Sequence, residues 1–158
     1  MPINPRHLLD QADMLTTREA GRPRAIDLRR AISAAYYAVF HTVLRAAADS
    51  VVPADKRATE QYARVYRSIN HSPLRKLCDQ VRGKNFSFNP DIREFAATVS
   101  DLQEKRYSAD YDPLFKAIRS DTMLAIAAAR GAINQFETAP EQERALFLSL
   151  LLFPPKHS

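Results

Sequence analysis

RRAISAAYYAVFH, residues 29–41, sets two adjacent tyrosines, a phenylalanine and a histidine into a run filled out with alanine. At about 100° per residue, Leu28, Ile32, Ala35, Val39 and Val43 fall on one face of a helix. Arg30, Ser33, Tyr37 and His41 fall on the opposite face, and Tyr36 and Phe40 lie on the flank between them. A helix that is apolar on one side and aromatic along the other is buried nearly all round. Its polar stripe should therefore face something specific, either another helix of a bundle or a second subunit. The plainer alternative is that the tyrosine hydroxyls reach the bundle edge and bond water or carbonyls.

The rest of the chain reads as helix too. It has only three glycines, and nothing alternates with period two for long. Asn4-Pro5, Ser72-Pro73, Asn89-Pro90 and Asp112-Pro113 each put an N-cap residue before a proline at the first helical position. These signals predict helices over 5–17, 23–50, 56–71, 73–82, 90–110, 113–137 and 140–152. Gly21 separates the first two, and RGKNFSFNP at 82–90 reads as a loop. There is no repeat, low-complexity tract or linker. The expectation is one all-α domain over 1–158, an up-and-down antiparallel helical bundle with an extra C-terminal helix.

Bulk properties agree with a single core. The 158 residues are 46% hydrophobic, enough to fill one core without disulfides. Cys78 is the one cysteine, so no intramolecular disulfide forms, which fits a reducing compartment. The N-terminus lacks the basic-then-apolar pattern of a signal peptide. The longest apolar run, ALFLSLLLF at 145–153, falls short of the roughly 20 residues a membrane span needs. A soluble cytoplasmic protein is expected. The net charge of +5 is uneven: residues 1–84 hold 15 basic against 8 acidic residues, and residues 85–158 hold 8 against 10. A basic half attracts nucleic acid or another acidic partner. Equally, arginines can simply solvate helix surfaces, since no block of five like charges occurs.

A second stretch bears on function. Ile92, Phe95, Ala96, Val99 and Leu102 form an apolar stripe whose continuation meets Arg106 and then Asp110. A buried charge needs a partner. An i, i+4 ion pair supplies one; the functional alternative is a polar site at the end of the bundle with Arg106 as an anion clamp. The two residues are expected to share one polar cluster with Tyr37 or His41. A further pair, Arg64 and His71, lies with Arg67 and Glu60 on one stripe of the expected 56–71 helix. There the macrodipole alone would favour a histidine in the last turn. The histidines at 7, 41, 71 and 157 are scattered, with no metal-ligand spacing, and no glycine-rich phosphate loop occurs, so neither metal nor cofactor is expected. Cys78 reads as a buried apolar residue beside Leu74 and Leu77. Gly131, near Ala125, Ala128 and Ala129, reads as a point of close helix packing. The apolar perimeter of the 28–44 helix, and leucines all round the last helix, predict a homodimer.

Together, RRAISAAYYAVFH and LQEKRYSADYDP (102–113) resemble the small bacterial HEPN domains (higher eukaryotes and prokaryotes nucleotide-binding). That family shows a serine, a paired-tyrosine helix ending in Phe-His, and later an arginine followed by Ala-Asp-Tyr. Here these are Ser33, Tyr36, Tyr37, Phe40 and His41, then Arg106, Ala109, Asp110 and Tyr111. The resemblance covers roughly residues 25–136. It implies a helical bundle that dimerises and binds RNA or nucleotide. It also implies a metal-independent ribonuclease, often a toxin neutralised by a small nucleotidyltransferase antitoxin. The family's active site pairs an arginine with a histidine that follows after four to six intervening residues, brought together across the dimer interface. Such a pair would serve as phosphate clamp and as acid or base, with the RNA 2′-hydroxyl as nucleophile. Here that position is Tyr111. With an ordinary pKa near 10, a tyrosine is a poor base at pH 7. The candidate catalytic residues are thus Arg106, Tyr111 and His41, with Arg64 and His71 as the alternative pair. Ser33, Tyr36, Tyr37, Asp110 and Arg30 are candidate binding residues. The competing reading is a non-catalytic binding or dimerisation module.

Overall fold

Asn4 accepts a hydrogen bond from the Arg6 amide and Asn89 one from the Ile92 amide, so both Asn-Pro pairs start helices as their chemistry dictates. A computed structural model describes residues 3–17, 24–83 and 86–156. Gly21, part of the 82–90 loop and His157 lie outside them. Among the described residues the chain is all-α, with seven helices packed into one bundle. They are α1 (Pro5–Thr16), α2 (Ala25–Val51), α3 (Glu60–Arg67), α4 (His71–Arg82), α5 (Pro90–Tyr111), α6 (Arg119–Thr138) and α7 (Glu141–Leu152), with a 3-10 turn at Ala54–Lys56. No described helix is long and apolar enough to cross a membrane.

The opening stretch lies in α2, which packs against α1, α3, α5, α6 and α7. Leu28, Ile32, Ala35, Val39 and Val43 are all buried, and the flanking Tyr36 and Phe40 are buried with them. Full burial of each large apolar side chain contributes about 1.5–3 kcal/mol, so α2 is the main organiser of the core. The stripe Ile92, Phe95, Ala96, Val99 and Leu102 of α5 is buried as its spacing predicts, and so is Cys78 beside Leu74 and Leu77.

The bundle itself absorbs the perimeter of α2, so that perimeter gives no reason for a dimer. In α7, Phe147, Leu148 and Leu151 turn inward, and Leu146 is exposed.

Three expectations are corrected. The 56–71 segment is not one helix. Thr59 caps α3 by accepting from the Tyr62 amide, α3 ends at Arg67, and Asn70 is the N-cap of a new helix. Pro73 therefore sits inside the first turn of α4, where a missing N–H has no intrahelical partner to lose. Second, α6 starts at Arg119, not at 113. Asp112 ends α5, its amide bonding the Ser108 carbonyl at 3.0 Å, and its carboxylate accepts from the Leu114 amide at 2.9 Å. Pro113 thus follows a helix end, the other place proline is favoured. Third, Gly131 is not a packing point: a Cβ there would meet nothing within 4 Å.

α3 is fastened to α2 by Asp49, which takes Arg57 at 2.9 and 2.7 Å and the Tyr62 hydroxyl at 3.0 Å. Against the upward push of burial, these bonds hold the Asp49 carboxyl below its ordinary range.

Candidate functional site

Arg106 is 7% exposed, and its guanidinium lies over two tyrosine rings, 5.2 Å from the Tyr36 centroid and 5.8 Å from that of Tyr37. Its ion pair with Asp110 is long, 3.8 Å, and Asp110 also accepts from the Ser33 hydroxyl at 3.3 Å. Arg106 and Asp110 therefore share one polar cluster with Tyr37. The ion pair spans one turn of α5, and the serine ties it to α2.

The quality of these contacts matters more than their number. Cation–π attraction orients the guanidinium but satisfies none of its N–H groups in the plane. Among the described residues, two buried side-chain polar atoms lack a hydrogen-bond partner: Arg106 Nε and Gln103 Oε1. Both belong to the same face of α5, three residues apart. Native interiors rarely leave such atoms orphaned. Gln103 spends its amide donor on the His71 carbonyl, at 3.3 Å.

His71 is brought to this cluster by the corrected start of α4. Its Nδ1 lies 2.7 Å from the Tyr36 hydroxyl, and its ring stacks on Phe40 with centroids 4.1 Å apart. Burial, followed by the charge of Arg106, pushes its pKa below the ordinary histidine value. Its place at a helix N-terminus, where the macrodipole opposes added positive charge, acts in the same direction. His41 makes a matching pair, its Nδ1 2.6 Å from the Tyr66 hydroxyl. Burial and then the charge of His71 lower its pKa too. Both phenols keep their protons: burial raises Tyr66 to about 12 and pushes Tyr36 up strongly. Each tyrosine therefore pins an imidazole through Nδ1 and leaves Nε2 for other work. With the proton on Nδ1, donated to the phenol oxygen, Nε2 offers a lone pair; with the proton on Nε2, it offers a donor.

The rings of Tyr36, Tyr37, Phe40, His41, Tyr66 and His71 form one continuous contact network. A groove of about 470 Å³ opens onto it between α1, α2 and the end of α5. Arg30, Ser33, Tyr37, His41, Asp110 and Tyr111 line this groove, with Leu8 and Leu15 as its apolar wall. Tyr36 and Arg106 lie buried behind it. Tyr111 is 64% exposed and turns its ring toward Tyr107, 5.2 Å away, with no contact to Arg106. Arg64 is exposed on α3 whereas His71 begins α4, so the expected Arg64–His71 stripe on one helix does not exist.

Two contributors, Gln103 and Arg29, escape a reading of the sequence, which pairs a third, His71, with the wrong partner, Arg64. His71 joins Arg106 only through the helix break at 68–70, which no periodicity signals. Gln103 had a signal: the line Val99, Gln103, Arg106, Asp110 runs at helical spacing off the end of the apolar stripe. Arg29 donates to the carbonyls of Ala109 and Asp112 at 2.9 Å and of Phe115 at 2.6 Å. Its guanidinium also lies 5.6 Å from the Phe115 ring, so it holds the irregular segment after α5 against α2 and fixes one rim of the groove. Among the described residues no cluster of three or more histidine, cysteine or acidic side chains could hold a metal ion. No protein-family model matches the chain, and neither the curated proteins nor the solved structures contain one significantly similar to it.

Proposed function

We propose that this is a HEPN-like protein that binds RNA or a nucleotide phosphate in the groove beside Arg106, as an anion clamp, and acts on it as a metal-independent endoribonuclease. The observation that carries the reading is the orphaned Arg106 Nε behind the groove, in an aromatic cluster with two imidazoles whose pKa burial lowers. A phosphate oxygen supplies the acceptor that the guanidinium lacks. In this reading His71 takes the place of the histidine absent after Arg106, with Tyr36 positioning it, and His41 is the second proton carrier. Tyr111 contributes a groove wall and a stacking surface. Ser33 and Asp110 hold the guanidinium in register, and Arg30 meets the flanking backbone.

A homodimer and a nucleotidyltransferase partner belong to the same proposal. Large exposed apolar side chains gather at the end of α5, the following segment and the start of α6, with Tyr107, Leu114, Ile118 and Leu124 each more than half exposed. Such a patch suits a second subunit beside the groove. The second reading, a non-catalytic binding module, is favoured by the solvent-facing ring of Tyr111 and the absence of a histidine on α5.

Incubation of purified protein with single-stranded RNA, with and without EDTA, separates the two. The nuclease reading requires cleavage that survives EDTA and is lost in His71→Asn. Binding without cleavage would leave the module reading.

A further inference from the structure

We infer that a second cavity, between α1, α2, α6 and α7, is a binding site for a small organic anion, a carboxylate carried on an apolar body. The cavity measures about 580 Å³ and shares no lining residue with the groove beside Arg106. That volume falls in the range of ordinary small-molecule sites.

Its inner wall is apolar, built from Ile133, Phe136 and Leu148 of α6 and α7 and from Ala46 of α2. Three arginines and three carboxylates line the cavity, equal in number but unequally hydrogen-bonded. Asp49 is consumed by Arg57 and the Tyr62 hydroxyl. Glu137 pairs with Arg6 at 3.5 Å, and its backbone carbonyl takes Arg144. Glu141 is exposed in the first turn of α7, where the helix dipole offsets a negative charge. Arg45 is half-buried on the cavity wall and makes no hydrogen bond or ion pair among the described residues. The Asp49 carboxylate one turn along α2 feels its charge, but among the lining arginines its guanidinium is the one none of whose N–H donors a protein acceptor claims. A cavity with an oily wall and one unclaimed guanidinium is complementary to an anionic head on an apolar tail. Arginine's planar fork matches a carboxylate in two hydrogen bonds.

Octanoate is the probe and octanamide its uncharged counterpart, both titrated by calorimetry into the full chain. Saturable octanoate binding is expected, with octanamide at least about tenfold weaker, the size of a lost charge-assisted contact. Arg45→Gln should weaken octanoate by about 10–100-fold. Ala145→Phe, at an exposed lining position, should fill the cavity and abolish binding whether or not the Arg45 variant folds. Arg106→Met should leave octanoate binding unchanged. No saturable binding, equal binding of octanamide, undiminished binding by Ala145→Phe or a loss in Arg106→Met would each overturn the assignment.

Discussion

Replacing Arg106 with methionine should separate a functional arginine from a structural one. Methionine nearly matches its reach and volume, so little cavity forms. The change removes two cation–π contacts, at 5.2 and 5.8 Å, each worth about 0.5–2 kcal/mol when shielded from water. It also removes an ion pair at 3.8 Å, too long to be a strong hydrogen bond, whose Asp110 side chain is 27% exposed and keeps its Ser33 contact. Against these losses, it relieves a buried Nε–H that has no acceptor, a cost of about 1–3 kcal/mol. The sum runs from a gain of about 2 to a loss of about 4 kcal/mol and centres near a loss of about 1 kcal/mol. Arg106→Ala lacks the compensating volume and should cost a further 2–4 kcal/mol or so as a cavity in the aromatic layer. Urea denaturation at neutral pH measures both. If Arg106→Met loses more than about 4 kcal/mol, the guanidinium is a structural keystone with partners beyond those described, and the reasoning from its orphaned Nε fails.

Three other outcomes follow from the same geometry. His41 and His71 are held below their ordinary pKa in the fold, so between the folded values and about 6.5 the unfolded chain binds more protons. Stability should therefore fall as pH drops below about 6.5, and the double variant His41→Asn with His71→Asn should flatten that slope in urea melts across pH 5–7.5. Arg29→Ala removes three carbonyl bonds and should cost about 2–3 kcal/mol, with hydrogen exchange accelerated over 112–118 ahead of the rest of the bundle. Gly131→Ala should raise stability by about 0.5–1 kcal/mol in thermal melts, because an exposed helical glycine gains propensity and its new Cβ meets nothing.

Legibility tracked the range of the interaction. The core faces of α2 and α5 were readable because period and burial are local consequences of one helix, and the coupling of Arg106 to Asp110 followed from the same stripe. The Asn-Pro pairs marked helix starts correctly. Ser72-Pro73 marked the start of α4 two residues late and Asp112-Pro113 marked none, because proline suits both the first helical turn and the residue after a helix end, and only the tertiary context selects one. That ambiguity hid the most consequential feature. With the break at 68–70 missed, His71 stood at the end of a helix with Arg64, where a dipole would raise its pKa. In the fold it begins α4 beside Arg106, and the dipole works the other way. Gly131 misled for a related reason: small neighbours at helical spacing indicate close approach only on a face that another element covers.

Whether Arg106 binds phosphate is decided by fluorescence anisotropy of a labelled single-stranded RNA, titrated with wild type and with folded Arg106→Met at two salt concentrations. Wild type should bind saturably, and the variant should bind about 10–100-fold more weakly with a shallower salt dependence, since one charge-assisted phosphate contact is gone. Equal affinity and equal salt slope for the two proteins would contradict phosphate binding by Arg106.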